Sequence, residues 1–473
     1  MTENDLMALT PLDGRYAETI EPLRAFFSEF AYLRGRLQLE VVYLIALSQD
    51  AKLIRSLSQD ELDFLYNLYT NFSLDDAHQV KDLERTTRHD VKAIENFLRA
   101  RLERTSLADT VSWLHFGLTS EDVNLTSQAI SLRAARDEVL LPALDKILAQ
   151  LTDFARRYKS TPMLARTHGQ PAVPTTFGKE MIVFMARLAK QREKLAAHKF
   201  EAKWSGAVGN YNALVAAAPD VDWPSFSQNF LHNLGLEPAQ VSTQLIPYDN
   251  WLEYFQTMQL INGILLDLCQ DMWRYISDDY LKLRVVSGEV GSSTMPQKVN
   301  PIDFENAEGN LGLANALFEG YGRKLPVSRL QRDLSDSTVR RSFGESLGHT
   351  LVAWTSIARG LDRVEANEAG MRSDLEAHWE VIAEGAQTIL RAANLPSAYE
   401  QLKSLTRGKE ITQGNYQSWV ESLEVDESLK ARLRSLSPLT YVGLAEEITE
   451  SNVSRRWNMI NKTVQSQETL DPE

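Results

Sequence analysis

The chain has 473 residues, with 64 acidic against 50 basic side chains and a formal net charge of −14. That balance argues against a polyanionic partner, so nucleic acid is not expected, while a few local cations can still hold a small anionic substrate. Hydrophobic residues at 43% and charged residues at 24% describe a globular chain with material for a large core, and a usual domain size of ~100–200 residues allows two to four domains.

The first twelve residues carry Glu3 and Asp5 and no basic or long apolar segment, so no secretory leader is expected there. No apolar run approaches the roughly 18 residues of a membrane helix. Cys269 is alone, which excludes an intrachain disulfide and a thiolate metal site. The eight histidines show no paired metal-ligand spacing, so no metal centre is expected, and a reduced, cytoplasmic setting fits.

No proline falls between Pro22 and Pro142, between Pro247 and Pro296, or between Pro326 and Pro396, which favours long helices. A helix is predicted from about Thr119, followed by an apolar stripe at Leu140, Leu144, Ile147, Leu151 and Phe154. A second stripe runs through Phe177, Met181, Phe184, Leu188 and Leu195. The longest starts at Trp251 and recurs at steps of three and four to Ile276. Strand-like runs are few and brief, Leu281–Val286 being the best. The predicted class is all-α, with three stripes forming an antiparallel bundle joined by Gly/Pro connectors at Ser160–Pro174 and Gly206–Pro247. Three helical regions are expected: 1–115, a central long-helix bundle over 116–365, and 366–473. One central helix is apolar over much of its circumference, which points to a multi-subunit helical core.

Five segments have chemistry beyond packing. Glu84 to Asp90 sets Arg88, His89 and Asp90 side by side; read alone, it is a charged helix face. Thr119-Ser120-Glu121-Asp122 has the form of a capping box, whose amides and hydroxyls also suit an anion. In Thr167-His168-Gly169-Gln170-Pro171, a His beside Gly and Pro can be held rigidly, as a general acid needs. Gly291 to Pro301 gathers hydroxyls, Lys298 and Asn300, donors suited to a carboxylate on a loop with glycine hinges. Arg329, Arg332, Ser337, Arg340 and Arg341 form a cationic cluster with spacing fit for a phosphate. Each has a plain alternative on its own: a solvated loop, an incidental His, a simple cap, surface arginines.

Jointly they are more specific. The Gly291–Pro301 loop resembles the signature of the fumarase/aspartase superfamily, and the Thr-Ser-Glu-Asp and Thr-His-Gly-Gln-Pro segments precede it in that superfamily's order. A closer resemblance, from Leu9 to about Ala445, is to the bacterial-type adenylosuccinate lyase family. It is carried by Pro11-Leu12-Asp13-Gly14-Arg15-Tyr16, Glu84–Glu95, Ala207-Val208-Gly209-Asn210-Tyr211-Asn212, Asp303-Phe304-Glu305-Asn306 and Arg329–Arg341.

The resemblance implies a C–N lyase that eliminates fumarate from adenylosuccinate and from succinyl-aminoimidazole-carboxamide ribotide, with no cofactor. It makes Ser292 the general base, His168 the general acid and Glu305 the carboxylate that orients it. His89 becomes a second active-site histidine near the phosphate, with Arg88 and Asp90 beside it in the substrate site. Lys298, Asn300, Thr119 and Ser120 match groups holding the succinyl carboxylates, and Gln244 a substrate-binding amide. Arg15, Tyr16, Arg332, Ser337 and Arg341 match nucleotide and phosphate contacts. It also implies a homotetramer with sites shared between subunits. Gln297 departs from the family's usual His and reads as in argininosuccinate lyases, which keeps that enzyme as the runner-up; a catalytically silent scaffold of the same superfamily is a separate alternative.

Overall fold

The computed structural model describes residues 6–284, 295, 298–395 and 411–454. Helices dominate, and the strands among the described residues form three two-stranded pairs. The chain divides into two compact units. The first comprises Met1–Leu144, Gln191–Gly263 and Gly309–Thr355; the second comprises Asp145–Lys190, Ile264–Glu308 and Ser356–Glu473.

Five long helices contribute segments to both units: α1 (Leu141–Arg157), α2 (Phe177–Ala197), α3 (Asp249–Ser277), α4 (Ile302–Lys324) and α5 (Phe343–Arg363). The three predicted stripes fall on α1, α2 and α3. Their buried residues recur at the three- and four-residue steps that put side chains on one helical face. No described helix is long and apolar enough to cross a membrane.

In the first unit, the helix Glu29–Gln49 is buried on most sides, with Leu37, Leu39, Val41 and Tyr43 fully enclosed. Leu33, Leu37, Val41 and Leu44 share a core with Val80, Ile94 and Leu98 from the helices Leu74–Thr87 and Asp90–Leu102. Tyr43 packs edge-on against Trp204 and Phe230. Buried polar side chains fix the helix register: Asn262 on α3 donates to Thr350 at 3.0 Å and accepts from Trp354 at 2.9 Å, both on α5. Such satisfied buried amides select one register where apolar packing alone tolerates several.

In the second unit, Gln150 on α1 donates to the Ala358 carbonyl of α5, and Asn306 on α4 accepts from Ser356. The connector predicted over Ser160–Pro174 is here a hairpin, β1 (Pro162–Thr167) against β2 (Gln170–Thr176), antiparallel with a bulge between Leu164 and Arg166. Leu164 enters a core formed with Leu375, Ile382, Leu390, Tyr416 and Leu433. The strand expected near Leu281 exists as β3 (Leu281–Leu283), paired with β4 (Val364–Ala366). The other predicted connector, in the first unit, holds the helices Asn212–Ala217 and Trp223–Asn233.

Candidate active site

Within the first unit, residues far apart in sequence meet in one polar network. Its centre is Glu121, 1% exposed, in the first turn of the helix Ser120–Ala135. The Glu121 carboxylate accepts from Arg332 at 2.8 Å, from Arg340 at 2.7 Å and from Asn124 at 3.0 Å. Arg332 also donates to the Gln244 side-chain oxygen at 2.9 Å. Asn124 accepts from Arg36 at 2.8 Å, and Arg36 reaches Asp90 at 2.9 Å. Asp90 then faces the Arg341 guanidinium at 3.9 Å. A continuous run of charged and amide groups therefore links Gln244, Arg332, Asp90 and Arg341.

The neighbouring arginines have different duties. Arg340, 2% exposed, donates to Glu121, Gln128 and Asp336, and Asp336 also accepts the Tyr248 hydroxyl at 2.8 Å. Each of its three nitrogens has a partner inside the protein. Arg341, with 56% of its side chain exposed, has only loose approaches to Glu29 and Asp90 and is the cation presented outward. Burial pushes the Asp90 carboxyl up, but Arg36, the Val91 amide, His89 and Arg341 outweigh it and hold the group below the usual carboxylate range.

Helix starts build the rest of this face. His89 is the N-cap of Asp90–Leu102, its Nδ1 accepting from the Lys92 amide at 3.2 Å. In the neutral ring the proton therefore sits on Nε2, which lies 3.4 Å from the Ser120 hydroxyl. Arg88 before it adopts φ +51°, a left-handed conformation that a long side chain rarely takes and that often accompanies function. The capping reading of Thr119–Asp122 has direct expression: Asp122 accepts from the Thr119 amide at 2.9 Å. Asp122 also accepts from Lys203 and from the Ser205 and Gly206 amides, all buried. Thr119 and Ser120 are thus held at the start of a 16-residue helix, where free amides and the helix dipole favour an anion.

Arg15 is exposed in the turn before Ala17–Phe27, while Tyr16 packs on the Leu12, Ile20 and Val352 cluster. Ser337 is half-buried and donates to the Leu334 carbonyl. A cavity of about 530 Å³ lies between Ser242, Thr243 and Leu245 on one side and Leu325, Ser328 and Leu330 on the other.

The second unit carries the other candidates. His168 and Gly169 are the two central residues of the β1–β2 turn, both at positive φ (+55° and +74°), as tight hairpins require. His168 is exposed at the tip of this arm. The arm is anchored at its root by Leu164 and along its length by Arg166, which pairs with Asp374 at 2.7 Å. Glu305, in the first turn of α4, accepts from the Trp273 indole at 3.2 Å; among the described residues no bond joins it to His168. Lys298 is exposed and Asn300 half-buried just before α4. Ser292 and Gln297 lie outside the described residues.

A family model described as a lyase matches residues 14–315, and one described as the adenylosuccinate lyase C-terminal region matches 328–442. The chain is 44% identical over 453 residues to the adenylosuccinate lyase of Haemophilus influenzae, covering 95% of this chain and 99% of that one. The chain belongs to the adenylosuccinate lyase family. The adenylosuccinate lyase of Escherichia coli K12 is 43% identical, covering 94% of this chain and 98% of its own. In fold, the chain is similar to a fumarate lyase from Mesorhizobium sp. BNC1, with a TM-score of 0.73 at 16% identity over 92% of this chain and 97% of that one. The lyase match spans every candidate from Arg15 to Glu305, and the adenylosuccinate lyase C-terminal match spans Arg332, Ser337 and Arg341.

Several of these connections escape sequence reading. Glu121 has the appearance of a capping acid, and Arg36 and Asp336 carry no motif. His115, whose Nδ1 lies 2.6 Å from Glu40, is a further half-buried titratable group four residues before Thr119. Its signal was available: Glu40 is a lone carboxylate in the apolar run Leu37–Leu44.

Proposed function

We infer that the chain is an adenylosuccinate lyase, a C–N lyase that releases fumarate from adenylosuccinate by anti β-elimination, leaving AMP. The observation that carries this is the 44% identity to a curated adenylosuccinate lyase along almost the full length of both chains. By the same reading it also acts on succinyl-aminoimidazole-carboxamide ribotide in purine nucleotide biosynthesis, and works as a cytoplasmic homotetramer of three-region subunits (1–115, 116–365, 366–473).

The chemistry sets the tasks. The proton to be removed is α to a carboxylate and weakly acidic, so the intermediate is a doubly charged aci-carboxylate. Donors preorganised at that oxygen pair supply the largest stabilisation. Lys298 and Asn300, with Thr119 and Ser120, are assigned to it. Ser292 is assigned as base, a role for which its hydroxyl must be strongly activated. His168 protonates the departing nitrogen, with Glu305 orienting it. Arg15, Tyr16, Arg332, Ser337 and Arg341 take the nucleotide and its phosphate, with Arg88, His89 and Asp90 beside them and Gln244 donating to the substrate.

Support for shared sites comes from exposure. His168 projects at the end of an anchored arm, and Val183, Leu260, Trp273 and Leu313 leave apolar surface on the long helices. Apolar surface of that kind on packed helices is ordinarily covered by other copies.

The test is to offer adenylosuccinate and argininosuccinate to the purified protein and follow fumarate. Release from adenylosuccinate alone is expected; release only from argininosuccinate transfers the assignment, and release from neither makes the chain a silent scaffold.

A further inference from the structure

Arginine has donors and no acceptor, so the Gln244 atom facing Arg332 at 2.9 Å must be the amide carbonyl oxygen. The remaining end of Gln244 is then its NH2 group, a donor. Were the amide reversed, an oxygen would be turned toward the anionic substrate. The direction of this one amide therefore decides whether it attracts or repels a carboxylate.

Arg332 can enforce that direction only if it is itself held. Its second terminal nitrogen donates to Glu121 at 2.8 Å, and only 19% of its side chain is exposed. Glu121 is in turn fixed by Arg340 and Asn124. A carboxylate is needed here because both of its oxygens accept. A glutamine would place an NH2 against one of the two arginines, leaving a buried donor facing a donor.

We propose that Glu121 is a positioning residue for the elimination: it fixes Arg332, and Arg332 sets Gln244 with its NH2 toward an oxygen of the succinyl group. This rests on the reading of Gln244 as a substrate contact. Glu121 itself touches no substrate; its effect passes through two side chains to the binding step, so it acts on KM before kcat.

The experiment is a double-mutant cycle on the intact enzyme with Glu121→Gln, Gln244→Ala and their combination, following kcat and KM for adenylosuccinate alongside thermal unfolding. Glu121→Gln is expected to raise KM about tenfold with a smaller change in kcat. In the Gln244→Ala background its effect should be at least about threefold smaller, because the amide it orients is gone and only the nucleotide contact of Arg332 itself is left to disturb. Effects that multiply, or an unchanged KM in Glu121→Gln, overturn the proposal. A merely structural role would lower the unfolding temperature and leave the two effects independent. If Glu121→Gln does not fold, Glu121→Asp, which keeps the charge and shortens the reach, carries the same cycle. Absence of fumarate release by the unaltered enzyme overturns the functional reading beneath it; release together with multiplying effects overturns the relay alone.

Discussion

Glu40, 1% exposed in an otherwise apolar stretch of helix, holds the His115 imidazole at 2.6 Å. Burial pushes the His115 pKa down, but the charge of Glu40 and its hydrogen bond outweigh this, with Glu95 and Asp122 adding to them, and the group lies above its ordinary value. A raised folded-state value means the pair's contribution is complete below the unfolded histidine's pKa and is lost as pH rises through the folded one. The stability lost in Glu40→Gln should therefore be larger at about pH 6 than at about pH 9. Urea unfolding of both proteins at the two pH values measures it, and an equal loss at both would contradict the pairing.

Arg340 and Arg341 should respond in opposite ways to the same change. Arg340→Met leaves Glu121 and Asp336 without their shared cation in a buried setting, and a loss of about 3–5 kcal/mol is expected. Arg341→Met, at an exposed position, should stay within about 0.5 kcal/mol of the unaltered protein and raise KM for the nucleotide. Denaturant unfolding read beside steady-state kinetics separates them. A stable Arg340→Met with a raised KM would reverse the division of duties.

His168→Asn keeps a residue that tolerates the left-handed turn conformation while removing the acid. Because the position is exposed at a hairpin tip, the unfolding temperature should not move. The value of kcat should fall by about 100- to 10,000-fold, the range for loss of a general acid. A change of only a few-fold would take the proton-donor role away from this residue.

Asp122 offers a purely structural contrast to its neighbour Glu121. It accepts from Lys203, Thr119, Ser205 and Gly206, all buried or partly so. Asp122→Asn should cost about 3 kcal/mol or more by leaving the Lys203 ammonium buried without a counter-charge. Any rise in KM in the fraction that remains folded should be small beside the loss of stability, since an asparagine keeps an oxygen for the Thr119 amide to donate to, and calorimetry with active-site titration would detect the difference.

The long helices were legible because burial repeats along them. The Trp251–Ile276 stripe spans nearly all of α3, and the Phe177–Leu195 stripe nearly all of α2. The hairpin was hidden by its own composition. Pro162, Pro171 and Pro174 lie in its strands, where proline removes ladder donors and ordinarily argues against a strand. Its turn is His-Gly, without the Asn-Gly or Asp-Gly pair that usually marks one. In the candidate site, the signature segments are local and could be read. The network around Glu121 could not, since its arginines lie 211 and 219 residues further along the chain. Such partners are brought together by packing, and single-sequence periodicity carries no record of it.

One short stretch gives chain length its own meaning. Between the helix Ser120–Ala135 and α1, residues Arg136–Leu140 form a π-helical turn, which inserts an extra residue into an otherwise regular helix. One residue corresponds to about 100° of rotation about the axis. Without it, Leu141 and Leu144 would face a different direction relative to Glu121 and Asp122, although no side chain had changed. In a directed-evolution library, this stretch should accept substitutions at exposed Glu138 but reject single-residue deletions anywhere along it, because the helix uses its count of residues there as a phase setting.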